Sequence, residues 1–262
     1  MLSSNILALA LFVTTAFAVP SSRERYAARV ARRAAGDHLH VSRPSIVNGT
    51  DISYTTNWAG AVLNDAANTW TSVVGTFTVP SPRVPAGGSG SSAAAVWVGI
   101  DGASCQTAIL LTGIDMSVGA NGAPSYSAWW DWWPDSQGGF AGAFDIAPGD
   151  AVTALVEARS ATSGTATLVN ARTGQSVTQA ITSTTALCGQ DAEWIVEAFD
   201  AGGQMVPFAD FGTVTFSGVA AGGVLGVVGP GNANIYEIVQ GGAVVTDVTV
   251  GVDSVVVSYV GS

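Results

Sequence analysis

The chain is predicted to fold as an all-β domain, and three observations carry that reading. From residue 48 onward, short runs rich in Val, Ile, Thr and aromatic residues recur, Gly, Pro, Ser and Asn break them, and no stretch sustains a helical period between caps. Residues 53–262 are enough for one sizeable β domain. Many antiparallel strands in a unit of that size imply a two-sheet sandwich or a barrel.

Taken in order, residues 1–18 have the pattern of a secretory signal peptide. Residues 6–17 are apolar but too few to span a bilayer, and they lead into Ala16-Phe17-Ala18, a small-residue cleavage pattern, with no Lys or Arg ahead of the apolar run. The protein is therefore expected to be secreted to the extracellular medium. Residues 19–52 form a basic segment in which Arg23, Arg25, Arg29, Arg32, Arg33 and Arg43 are six of the nine basic residues of the chain. After residue 44, Arg83, Arg159 and Arg172 stand against 17 acidic residues, a net charge of −14. That break suggests a pro-segment that rests on the acidic domain as an intramolecular inhibitor at neutral pH and leaves when acid protonates the carboxylates. A basic tail that stays attached is the other reading of the same composition. Asn48-Gly49-Thr50 is a glycosylation acceptor close to this boundary.

Within the domain from 53 to 262, residues 69–80, 150–159, 164–171 and 245–260 read as strands, residues 81–94 as a flexible loop, and Arg172-Thr173-Gly174 as a turn. A domain this acidic should repel nucleic acid and anionic membranes, and nothing after the signal is long and apolar enough to be a membrane span. It is expected to act as a monomer in an acidic medium. Cys105 and Cys188 most simply pair in an oxidising compartment, and closing a loop of that length contributes on the order of 4 kcal/mol by chain entropy.

The composition also excludes chemistry. His38 and His40 both lie in the basic segment and the chain has no Lys, so the acidic domain cannot build a Ser-His or Cys-His nucleophile, a His-based zinc site or a Lys Schiff base. Carboxylates, amides, hydroxyls and the backbone are left, and no cofactor or metal is expected. In "DAEWIVEAFD" (191–200), strand alternation puts Glu193, Ile195 and Glu197 on one face and Trp194 and Val196 on the other. The two glutamates then sit about 13 Å apart, too far for a carboxylate dyad, and an outer sheet face is normally polar and solvated. In "YSAWWDWWPD" (126–135), Trp129, Asp131 and Trp133 share one face and Trp130 and Trp132 the other, which suits either a cleft beside a carboxylate or plain core packing. "VWVGIDGASCQTAILLTGID" (96–115) carries Trp97, Asp101 and Asp115, and Asp101 between Ile100 and Gly102 reads by itself as a turn residue.

Together these stretches, with "NWAGAVL" (57–63), "TFTVPSP" (76–82) and "VPFADFG" (206–212), resemble the glutamic peptidases, the eqolisin family of secreted acid endopeptidases. The matching pieces run in family order over nearly all of the chain after residue 53. The resemblance implies a sandwich of two antiparallel sheets of the jelly-roll, concanavalin A-like lectin and glucanase type, and a protein or peptide substrate. It implies that Glu197 is the general base that activates water, and that Trp58, Trp97, Asp101, Asp115 and Asp131 line the substrate cleft, Asp131 standing where the family commonly has glutamate. The family's catalytic glutamine belongs in "AILQTG", where this chain reads "AILLTG" and has Leu111. Leucine has neither donor nor acceptor, so it can neither orient a water nor stabilise an oxyanion. Gln106, an odd number of residues away, points to the other face of a strand. A peptide-binding pseudoenzyme is the alternative to a peptidase. A sandwich glucanase fits poorly, because Ile195 stands where a third acid is needed between the two glutamates.

Overall fold

The computed structural model describes residues 41–47, 50–119, 121–201 and 204–261. The expected signal peptide, most of the basic segment and Asn48 lie outside the described residues. Two sheets make the fold, and among the described residues there is no helix. The larger runs in the order Val41–Val47, Thr50–Thr55, Asn234–Gln240, Trp58–Asn64, Asp191–Glu197, Ser92–Ile100, Ile109–Val118, Pro124–Trp133, Ser136–Gly138. The smaller runs Ser176–Thr182, Ser163–Asn170, Ala151–Ser160, Trp70–Thr78, Thr213–Gly223, Ser254–Tyr259, Thr246–Val250. Pairing along both is antiparallel except where Thr50–Thr55 runs parallel to Asn234–Gln240. The sheet thus starts ahead of residue 53, because Val41–Val47 and Thr50–Thr55 already form its edge hairpin.

Between the sheets lies the main core, to which the larger sheet contributes Trp194, Val196, Val98, Ile114 and Trp132, and the smaller Phe77, Val156, Leu168 and Phe216. Strands of the smaller sheet alternate as a half-buried strand should: Ala151–Ser160 buries Val152, Ala154 and Val156 and turns the residues between them outward. The central strands of the larger sheet do not. Ser92–Ile100, Ile109–Val118 and Asp191–Glu197 are buried at every residue, so the outer face of this sheet is covered as well. A second apolar cluster sits there, with Trp58, Trp97, Leu111, Trp129, Ile195 and Tyr236 among its members. Glu193 and Glu197 are therefore not solvated surface acids, since only 0% and 1% of their surface is exposed.

Cys105 and Cys188 are joined by a disulfide. It links the loop after Ser92–Ile100 to the loop that enters Asp191–Glu197, at the end of the sheet where both begin or finish. No helix of the described residues is long and apolar enough to cross a membrane.

Candidate active site

The outer face of the larger sheet is a lattice of three rows across five strands, set by hydrogen-bond register. The first row reads Val62, Glu193, Gly99, Leu111, Asp131. The second reads Gly60, Ile195, Trp97, Gly113, Trp129, and the third Trp58, Glu197, Ala95, Asp115, Ser127. Alternation puts every one of these side chains on the same face, opposite to the inward Trp194, Val196, Trp130 and Trp132. The middle row needs its glycines, because a Cβ on Gly60 would lie 2.0 Å from the Trp194 carbonyl oxygen and one on Gly113 2.0 Å from that of Val96.

Register decides which acid faces position 111. Leu111 and Glu193 flank Gly99 from two strands apart, about 9.6 Å between Cα atoms, and the edge of the Trp97 ring lies over Gly99, where a Cβ would meet its Cζ3 at 3.0 Å. Glu197 lies four residues further along its strand, roughly 16 Å from Leu111, and faces Asp115 across Ala95. Between Cα atoms, register therefore sets Glu193 nearer to position 111 than Glu197, the expected partner. The three rows hold four carboxyl residues, Glu193 and Asp131 in the row of Leu111, and Glu197 and Asp115 in the row beyond Trp97.

Each glutamate has its own surroundings. The Glu197 carboxylate accepts a 2.8 Å hydrogen bond from Nε1 of Trp97, whose ring meets that of Trp58 edge to face at 5.1 Å. Glu193 accepts from the backbone N–H of Ala103 at 3.0 Å, which ties it to the loop carrying the disulfide. Burial, and after it the nearby carboxylates of Glu193 and Asp191, push the Tyr236 hydroxyl well above the ordinary tyrosine range. Tyr236 and Gly99 belong to this site and were not singled out from the sequence. Gly99 stands inside the "WVGIDG" motif, but its meaning as the gap between position 111 and Glu193 exists only once the strands are paired.

Asp101 is placed elsewhere. It follows the Ser92–Ile100 strand with φ of 67° and is fully buried. Its carboxylate accepts the backbone N–H groups of Cys188, Gly189, Gln190 and Asp191 at 2.7, 2.9, 2.7 and 3.2 Å. Burial raises its pKa, while the amides of Gly189, Gln190 and Asp191 oppose the shift. This is the turn-residue reading of Asp101, and the acid clamps the loop that delivers Asp191–Glu197 to the sheet. Its carboxylate lies within 4.8 Å of the sulfurs of Cys105 and Cys188, but those atoms are spent in the disulfide. Trp58, Trp97, Asp115 and Asp131, by contrast, all stand on the face that carries both glutamates.

Known proteins resemble the chain at each of these levels. Residues 56–259 match the Peptidase A4 family. Aspergillopepsin-2 of Aspergillus niger is 42% identical over 98% of this chain and 99% of its own length. Scytalidopepsin B of Scytalidium lignicola is 36% identical over 98% of both. Among solved structures, scytalido-glutamic peptidase holding a peptide-based transition-state analogue superposes with a TM-score of 0.69, at 36% identity over 78% of this chain and 98% of that one. Aspergilloglutamic peptidase from Aspergillus niger superposes with a TM-score of 0.61, at 46% identity over 64% of this chain and 99% of its own.

Proposed function

The chain belongs to the Peptidase A4 family of glutamic peptidases, and on that premise we propose that it is a secreted acid endopeptidase in which Glu193, not Glu197, is the water-activating carboxylate. The observation that carries the assignment is the first row of the lattice, where Glu193 and position 111 face each other across Gly99. A general base and the amide that holds its water and stabilises the oxyanion must share one water, and a Cα separation of about 9.6 Å leaves their side chains less distance to close than one of roughly 16 Å. Glu193 takes a proton from water as the oxygen attacks the peptide carbonyl carbon. The resulting carboxylic acid then gives that proton to the departing amide nitrogen as the C–N bond breaks, which restores the carboxylate. Glu197, held by Trp97, lies further along the cleft with Asp115 and serves substrate binding.

Leu111 weakens this machinery. Losing one oxyanion donor typically costs about 10²- to 10³-fold in turnover, and the same side chain would have positioned the water. That observation favours a second reading, a peptide-binding protein on the same face without turnover. The basic segment from 19 to 52 is read as the intramolecular inhibitor in either case, supported by its six arginines against the −14 of the chain after residue 44.

Casein cleavage at pH 3 in the presence of pepstatin, by acid-processed wild type beside Glu193→Gln and Glu197→Gln, tests the assignment. Cleavage that survives in Glu197→Gln and vanishes in Glu193→Gln is the expected result. The reverse pattern returns the base to Glu197. A wild type that binds peptide in acid but cleaves nothing establishes the second reading.

A further inference from the structure

A cavity of about 200 Å³ opens at one end of the smaller sheet, where the turn into Trp70–Thr78, the end of Ala151–Ser160 and the 187–189 loop meet. It is lined by Asn68, Trp70, Arg159, Ser160, Leu187 and Gly189, none of which belongs to the outer-face lattice. Two of these side chains carry donors that no acceptor among the described residues is shown to take. Arg159 is exposed and makes no ion pair among the described residues, whereas Arg172 is paired with Asp150. The indole of Trp70 is 96% buried, and its Nε1–H has no hydrogen-bond partner. A buried donor left unpaired carries a desolvation cost that an acceptor would relieve.

We propose that this cavity binds a small carboxylate attached to an apolar body. Guanidinium is the fork that matches a planar carboxylate, and in a domain with so few cations an unpaired one is a selective anchor. Trp70 and Leu187 supply the apolar wall for the rest of the molecule. The volume is below that of ordinary small-molecule pockets, which restricts the ligand to about one ring or a short branched chain. Glu157, the nearest acid along the Arg159 strand, accepts from the Thr165 hydroxyl at 3.3 Å instead of pairing with Arg159. The walls are held before any ligand arrives. The N–H groups of Thr69 and Trp70 both donate to the Gly189 carbonyl at 2.9 and 3.0 Å, and that of Asn68 to the Cys188 carbonyl at 2.7 Å. The loop they grip is itself fixed by the disulfide and by Asp101, so little ordering entropy is lost on binding.

The carboxylate has two possible sources, a free organic acid or the C-terminus of a peptide. Calorimetric titration of the full chain at pH 5.5 with benzoate and benzamide, and with acetyl-Ala-Phe as acid and as amide, separates them. At least one of the two acids should bind at least tenfold tighter than its neutral amide, and Arg159→Gln should lose that advantage with an unchanged melting temperature. Benzoate alone binding identifies the free acid, and acetyl-Ala-Phe binding identifies the peptide terminus. Acids that bind no better than their amides, or binding that Arg159→Gln leaves unchanged, would overturn the proposal. The readout is independent of proteolysis, so its failure and the failure of the peptidase assignment are distinct.

Discussion

Replacing Leu111 by glutamine tests the register argument and the cause of any catalytic defect together. Leu111 is fully buried, so the variant gives up leucine burial worth about 1.5–3 kcal/mol. The new amide adds a cost of roughly 1–3 kcal/mol if it finds no partner. If the amide reaches the Glu193 carboxylate of the same row, their hydrogen bond returns about 1.5–3 kcal/mol. The net expectation is a melting temperature lowered by only a few degrees, since 1 kcal/mol corresponds to roughly 2–4 °C for a domain of this size. Turnover should rise by about 10²- to 10³-fold, the usual worth of one oxyanion donor. Casein or a quenched fluorescent peptide at pH 3 supplies the assay, with circular dichroism as the fold control. The gain should vanish in Leu111→Gln/Glu193→Gln and persist in Leu111→Gln/Glu197→Gln. A folded Leu111→Gln protein without the gain, or a gain that survives loss of Glu193, refutes the reasoning.

Three further perturbations follow from the same contacts. Asp101→Asn leaves one carbonyl oxygen to serve four backbone N–H groups, so at pH 7 it should lose about 2–4 kcal/mol by urea denaturation; because burial raises the Asp101 pKa, wild type gains stability as pH falls while the asparagine variant does not, and the gap should widen at pH 3. Removing the disulfide as Cys105→Ala/Cys188→Ala frees a loop spanning 83 positions and should cost about 4–5 kcal/mol by chain entropy, read as a fall in the urea midpoint with an unchanged sheet signature; a loss under about 1 kcal/mol would show that the 188–191 loop stays in place without it. Glu237 is buried, and burial, then the charge of Asp247, raises its pKa against the opposing Val248 amide, so its contribution is complete below the unfolded-state value and is lost as pH rises through the folded one. Glu237→Gln should therefore melt higher than wild type at pH 7 and level with it at pH 3, and parallel melting curves across that range would contradict the sign.

Alternation alone sorted the faces correctly where residues lie on one strand. Glu193, Ile195 and Glu197 do stand opposite Trp194 and Val196, and Trp129 and Asp131 opposite Trp130 and Trp132. The all-β sandwich was equally legible, because β-branched runs and Gly or Pro breaks are local properties. What the residues could not carry was register. Whether position 111 meets residue 193 or residue 197 depends on how three strands from distant parts of the chain slide against one another, and period-2 patterning is satisfied by both. Exposure was also misjudged by rule: an outer face is usually polar, yet the strands carrying Trp97, Leu111 and Glu197 are buried on both sides and read as near-continuous apolar runs. Asp101 shows the reverse case, where the plain turn reading from its neighbours matched the structure and the motif-based cleft role did not match its contacts.

The carboxylates outside the lattice set how this fold should respond to acid. Asp135 is held far below the usual carboxylate range, first by the Thr184 and Ser183 hydroxyls and then by the amides of Thr184 and Thr185. Asp150 is held as low by the Arg172 guanidinium, the Asn170 amide and the Ala147 N–H. Such groups give stability that is present above the unfolded-state pKa and lost only as pH falls through the depressed folded value, so these two staples persist at pH 3. Asp101 and Glu237 are shifted the other way, and their stability is lost as pH rises. Both sets leave the molecule best supported in moderate acid, and the self-repulsion of the −14 chain after residue 44 adds to the loss at neutral pH. None of these groups touches position 111. Acid adaptation and catalytic power are therefore separable here, and a chain that keeps the first while carrying Leu111 would still bind peptide in acid on the face where its family cuts it.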